Sequence, residues 1–150
     1  MGKEVEYTDA EVAEIIACLR PEAAVIVKLS IELCTTIGSV ASMRYRREKP
    51  KGPIVVWSEE DPHGMTYNLP DSCERDIELA FFSGQPLPVA DGAWLCPNRT
   101  HKSKRGHYPE VNVRGEINAR NPFDSRIGKK SLYRYAIRKM REKLGVSTNA

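Results

Sequence analysis

The sequence predicts an α+β fold, mostly helical, in which helices pack around one core beside a single small antiparallel β-hairpin. Three observations carry this expectation. Thr8-Asp9-Ala10-Glu11 reads as a capping box ahead of Val12, Ile15, Ile16 and Leu19, which share one helical face. Ile54-Val55-Val56-Trp57 is a β-branched and aromatic run followed by a turn signal and a second alternating run. Near the end, Leu132, Tyr133, Ala136, Ile137, Met140 and Leu144 repeat at helical spacing, with Arg134, Arg138 and Arg141 on another face.

The first helix ends before Pro21, whose fixed φ suits the opening turn of the next. That second helix, about residues 22 to 36, is apolar on nearly every side and is expected to be the buried central one, closed near Gly38. A short helical extension through Val40, Ala41 and Met43 leads into a basic cluster of Arg44, Arg46, Arg47, Lys49 and Lys51. Lys49-Pro50-Lys51-Gly52-Pro53 then breaks the chain. Asp61-Pro62-His63-Gly64 supplies the hairpin turn, and residues 65 to 69 return. Pro70-Asp71-Ser72 opens another helix, with Cys73, Ile77, Ala80 and Phe81 on one face, and Ser83-Gly84 closes it. Residues 85 to 130 carry five prolines, and a long basic loop region with at most a short strand around Ala93 to Cys96 is expected there. Ser131 is placed to cap the last helix and Gly145 to end it.

The 150 residues fit one domain, 1–150, and a hydrophobic fraction of 41% is enough to build a core. The longest apolar stretch, Ala23 to Ile37, carries Lys28 and Glu32, which excludes a membrane span. The acidic beginning of the chain has no apolar export segment, and Cys18, Cys34, Cys73 and Cys96 lie far apart, so reduced thiols in the cytoplasm are expected. The net charge of +3 is divided unevenly, with +10 from Arg99 onward and −7 before it. Two basic clusters flanking an acidic body point to a polyanionic partner, with nucleic acid leading.

The order of elements resembles the opening portion of the catalytic domain of the tyrosine recombinases, or phage integrases. Tyr7-Thr8-Asp9-Ala10-Glu11-Val12 is similar to the family's opening. Ile31 to Met43 stands in its arginine segment, Val55 to Leu69 in its hairpin with Tyr67-Asn68-Leu69-Pro70 at the end, and Ser131 to Val146 in the helix before its histidine–arginine motif. The resemblance spans residues 7 to 146 and rests on pattern and order. It implies a tyrosine-recombinase-like fold, with Ser39 facing the Ser58–His63 turn across a basic groove. The departures bear on activity. Ser39 stands where the family has its first catalytic arginine and Ser42 where it has a glutamate, and the hairpin turn has no lysine. Attack by a tyrosine on phosphorus needs cations to hold the developing charge, so the resemblance implies DNA affinity without strand transfer.

The expected function is therefore binding of double-stranded DNA, as an accessory or regulator of a mobile element, either as a homo-oligomer or beside a recombinase partner. Arg44, Arg46, Arg47, Lys102, Lys104, Arg105, Lys129, Lys130, Arg134, Arg138 and Arg141 are the expected contacts. Other constellations give alternatives. Cys96, His101 and His107, with Cys73, outline a zinc site of thiolate and imidazole. The same histidines in a basic loop could serve a nuclease in which histidine activates water and magnesium steadies the phosphate. A basic surface could instead dock an acidic protein. Trp57 and Trp94 lie in short apolar runs and are expected in the core, and no set of exposed aromatics suggests base stacking.

Overall fold

The computed structural model describes residues 7–98, 106–120, 122–123 and 132–145, apart from the side chains of Tyr133 and Leu144. Helix α1 (Asp9–Cys18) starts as its capping box requires. The Glu11 N–H donates to the Thr8 hydroxyl at 3.1 Å, and the Thr8 N–H donates to the Glu11 carboxylate at 2.9 Å. Pro21 is the first residue of α2 (Pro21–Leu33), which buries Ala23, Val25, Ile26, Val27, Leu29 and Leu33. Each such aliphatic side chain removed from water contributes about 1.5–3 kcal/mol, and α2 is the element around which the other helices gather. It ends earlier than Gly38: Cys34 takes the left-handed conformation, with φ 54°, and terminates it. Thr36 then caps a one-turn helix, α3 (Ile37–Ala41), its hydroxyl accepting from the Ser39 N–H at 3.1 Å.

A four-stranded antiparallel sheet stands where a single hairpin was expected. Strands β1 (Arg44–Arg47), β2 (Ile54–Trp57), β3 (Thr66–Asn68) and β4 (Asp91–Trp94) lie in the order β3-β2-β1-β4. The expected hairpin is β2 and β3. The basic cluster is itself a strand, because Tyr45 and Arg47 alternate inward while Arg44 and Arg46 face out. Its charge hid that period of two.

Helix α4 (Asp71–Phe81) buries Cys73, Ile77 and Phe81 as its spacing predicts. A helix, α5 (Glu110–Arg120), replaces part of the expected loop region. Its apolar content is low, with Val113 buried, and it is tied to the core by polar contacts: Glu116 accepts the Arg20 N–H at 3.0 Å. Helix α6 (Leu132–Leu144) packs Leu132, Tyr135 and Ala136 toward α2 and is followed by left-handed Gly145. Its expected cap, Ser131, lies outside the described residues. Among the described residues no helix is long and apolar enough to cross a membrane.

Candidate nucleic-acid interface

The strand registers fix which side chains share the outward face of the sheet. Arg44 pairs with Trp57 on one side and with Trp94 on the other, and Trp57 pairs with Thr66. Paired residues point the same way, so Thr66, Trp57, Arg44 and Trp94 form a row across all four strands. A second outward row contains Asn68, Val55, Arg46 and Asp91. The inward face carries Tyr45, Ile54 and Val56 instead. Both tryptophans are therefore half-buried on the outer face rather than in the core, which corrects the expectation for them.

Each outward arginine lies against an indole. The Arg44 guanidinium sits 3.9 Å from the Trp94 ring centroid, and that of Arg46 sits 5.5 Å from Trp57. Arg44 also donates to the Gly92 carbonyl at 2.8 Å, and among the described residues it has no carboxylate partner. Arg46 approaches Asp91 at 3.4 Å, both side chains being largely exposed, and such a pair exchanges readily with solvent or another anion.

One end of the first row opens on a pocket of about 300 Å³ between Trp94, His107 and the β2–β3 turn. His107 meets Trp94 edge-on with centroids 5.0 Å apart. Its Nδ1 lies 2.8 Å from the Tyr108 carbonyl. A carbonyl only accepts, so Nδ1 is the protonated nitrogen in that bond, and Nε2 of a neutral ring remains an acceptor. Ser42 and Ser58 share a hydrogen bond of 2.7 Å at the pocket wall, and Glu59 and Glu60 border it.

The segment around α3 is hydrogen-bonded directly to the hairpin turn, so the two do not face one another across a basic groove as expected, and the pocket beside them is bordered by Glu59 and Glu60. Besides the Ser42–Ser58 bond, the Thr35 hydroxyl donates to Asp61 at 2.7 Å. Asp61 also accepts from the Met65 N–H at 2.9 Å and the Tyr67 hydroxyl at 3.0 Å. Ser39 itself is fully buried, with no hydrogen-bond partner for its hydroxyl among the described residues.

The expected contact residues separate into groups. Arg47 is a correction: it is 4% exposed, inward-facing, and ion-paired with Glu74, with further bonds to the carbonyls of Pro50 and Leu87. Burial and full engagement of its terminal nitrogens remove it from any phosphate. Arg138 is half-buried, donates to the Tyr7 carbonyl at 3.1 Å, and lies 3.8 Å from Asp9 and 3.6 Å from Glu142. Acids at the start of α1 and in α6 itself answer that charge. Arg134 is half-buried and also engaged. Arg141 is exposed. Lys102, Lys104, Arg105, Lys129, Lys130 and His101 lie outside the described residues.

No protein-family model, curated protein or solved structure matches the chain.

The sequence-drawn zinc site is not assembled among the described residues. Cys96 and His107 are near one another across the Pro97–His107 bridge, but no group of three metal-binding side chains comes together there. Cys73 is buried in α4, and burial pushes the thiols of both Cys73 and Cys96 above their ordinary range, disfavouring thiolate. The tryptophan–arginine row was missed because it exists only after β1 pairs with β4, more than forty residues away in sequence. The local signal that was available is the alternation of Arg44, Arg46 with Tyr45, Arg47, and of Val55, Trp57 with Ile54, Val56.

Proposed function

We propose that the protein binds double-stranded DNA through the outward face of its sheet, as a tyrosine-recombinase-like scaffold that holds DNA without exchanging strands. The observation that carries this reading is the Arg44 guanidinium, spread over Trp94 and unanswered by any carboxylate among the described residues, with Arg46 beside it. Lys49 and Lys51 are exposed in the turn that follows β1 and extend the cationic strip. The likeness to the recombinase core is supported by the order of α1, α2, α3, β1, the β2–β3 hairpin and α4, and by the contacts between the α3 segment and the hairpin turn.

Strand transfer is left out for a chemical reason. Where the family pattern needs a cation for the phosphorane charge, Ser39 is buried and Ser42 is hydrogen-bonded to Ser58, and neither supplies one. A role beside a mobile-element recombinase follows from the family likeness alone.

A gel shift with blunt duplex at about 50 mM salt should show binding that weakens steeply toward about 200 mM, as counterions compete for the phosphates. The double variant Arg44→Ala, Arg46→Ala should weaken it further. Absence of any duplex binding at the lower salt overturns the reading. Adding magnesium to supercoiled plasmid in the same buffer tests the metal-dependent nuclease alternative, which requires nicking that His107→Ala abolishes.

A further inference from the structure

We infer that the Trp57–Arg44–Trp94 row is a stacking platform for unpaired nucleotides, so that the protein prefers DNA with a single-stranded segment over the same sequence fully paired. The inference rests on the DNA-binding reading above and adds the kind of DNA. A duplex offers phosphates and base edges but hides its base faces between neighbouring pairs. A flat surface of indole and guanidinium gains little from edges and a great deal from faces, because every base has a π-face that stacks on tryptophan or on an arginine plane.

The geometry suits that use. Neighbouring strands lie about 4.8 Å apart, so the two indoles flank Arg44 from positions about 10 Å apart across the sheet. The Arg44 guanidinium, only 3.9 Å from the Trp94 centroid, lies close over that ring, and a base laid on it would complete a base–guanidinium–indole stack. His107 meets Trp94 edge-on and braces it. The indoles are half-buried, so they are held by their neighbours yet still reachable.

Charge gives the strand its direction of approach. Glu59 and Glu60, just past the end of β2, line one pocket with Arg44, Trp94 and His107 and disfavour phosphates on that side of the row. Arg46 and Lys49, with Glu48 as the one acid, line a second hollow of about 450 Å³ over β1 and β2, and Asp91 lies beside Arg46. The sugar–phosphate chain therefore runs past Arg46 and Lys49, while the bases turn toward the tryptophan row. Ser42 and Ser58 are buried, and their hydroxyls are engaged by each other, the Gly38 carbonyl and the Glu60 N–H, so the group beside the row that a base edge can meet is Nε2 of His107.

The test compares two fluorescently labelled DNAs of one sequence, a blunt duplex and the same duplex with a central run of unpaired nucleotides, by anisotropy at moderate salt. The unpaired substrate should bind roughly tenfold tighter or more, the effect expected of stacking at least one base, and should quench tryptophan emission. Trp94→Ala and Arg44→Lys should each bring the ratio of the two affinities close to one. Arg44→Lys keeps the charge and loses the plane, so it remains informative if Trp94→Ala unfolds. Equal affinity for the two DNAs, or a ratio unchanged in Arg44→Lys, overturns the inference and leaves duplex binding standing. Failure of both DNAs to bind overturns the inference together with the reading on which it rests.

Discussion

Asp61 holds the turn between β2 and β3 with one carboxylate serving the Thr35 hydroxyl, the Met65 N–H, the Tyr67 hydroxyl and the His63 backbone. Burial pushes its carboxyl up, but those hydrogen bonds outweigh burial and hold it below its ordinary value. The other side of the same bond is seen at Tyr67. Burial, and then the Asp61 carboxylate, push the Tyr67 phenol up to about 12. A group whose folded pKa is raised stabilises the fold fully below its unfolded value, near 10, and that stabilisation is lost as pH rises toward the folded value. Denaturant midpoints should therefore fall between about pH 10 and 12. Tyr67→Phe should flatten part of that limb, since burial and Asp9 push the Tyr135 phenol up to about 12 as well, and remove one phenol that ionises only at high pH from the tyrosinate absorbance. A limb unchanged in the variant would show that Tyr67 is not its source. None of this was legible in the sequence, where Ser58 to Gly64 reads only as a polar turn. Turn chemistry names the residues that break a strand but not the partner that Asp61 finds in Thr35, 26 positions away.

At the scale of elements, legibility followed the kind of signal. The capping box of α1, the proline that opens α2 and the apolar faces of α2 and α4 are local and strong, and all four form as the pattern predicts. Strand β1 and helix α5 were missed because charge dominates both: three of the four residues of β1 are arginine, and α5 buries Val113 alone among its described side chains. The end of α2 was misplaced for another reason. Glycine is the usual left-handed terminator, yet here Cys34 occupies that conformation, with φ 54°. A residue with a Cβ pays about 1–2 kcal/mol there, and glycine would lose part of that relief to its freer unfolded chain and to the half-buried thiol it removes. Cys34→Gly should accordingly stabilise the protein by about 0.5–1 kcal/mol, read as a higher midpoint in urea at unchanged slope. A lower midpoint would mean that the thiol's packing contributes more than the backbone strain costs.

For the molecule as a whole, the sequence showed how much positive charge there is, and the fold decides how much of it is free. Arg138, Lys139 and Lys143 of α6 face Asp9, Glu142 and Glu32, so part of the basic surplus after residue 98 is answered by acids within the chain. Composition alone counts eleven expected phosphate contacts. If all eleven met phosphates, the logarithm of affinity would fall with the logarithm of salt at a slope near −10. Arg47 cannot contribute as it stands, buried against Glu74, and Arg138 would have to give up its contacts with Tyr7, Asp9 and Glu142 to do so. The slope for duplex DNA should thus be shallower than the composition implies, and its response to single substitutions should sort the arginines. Arg44→Ala or Arg46→Ala should reduce its magnitude by about 0.9, one counterion's worth. Arg47→Met should leave the slope as it is and lower thermal stability, because it strands the Glu74 carboxylate and the carbonyls of Pro50 and Leu87. A slope that drops for Arg47→Met but not for Arg44→Ala would place the DNA on the opposite face of the sheet and remove the tryptophan–arginine row from the interface.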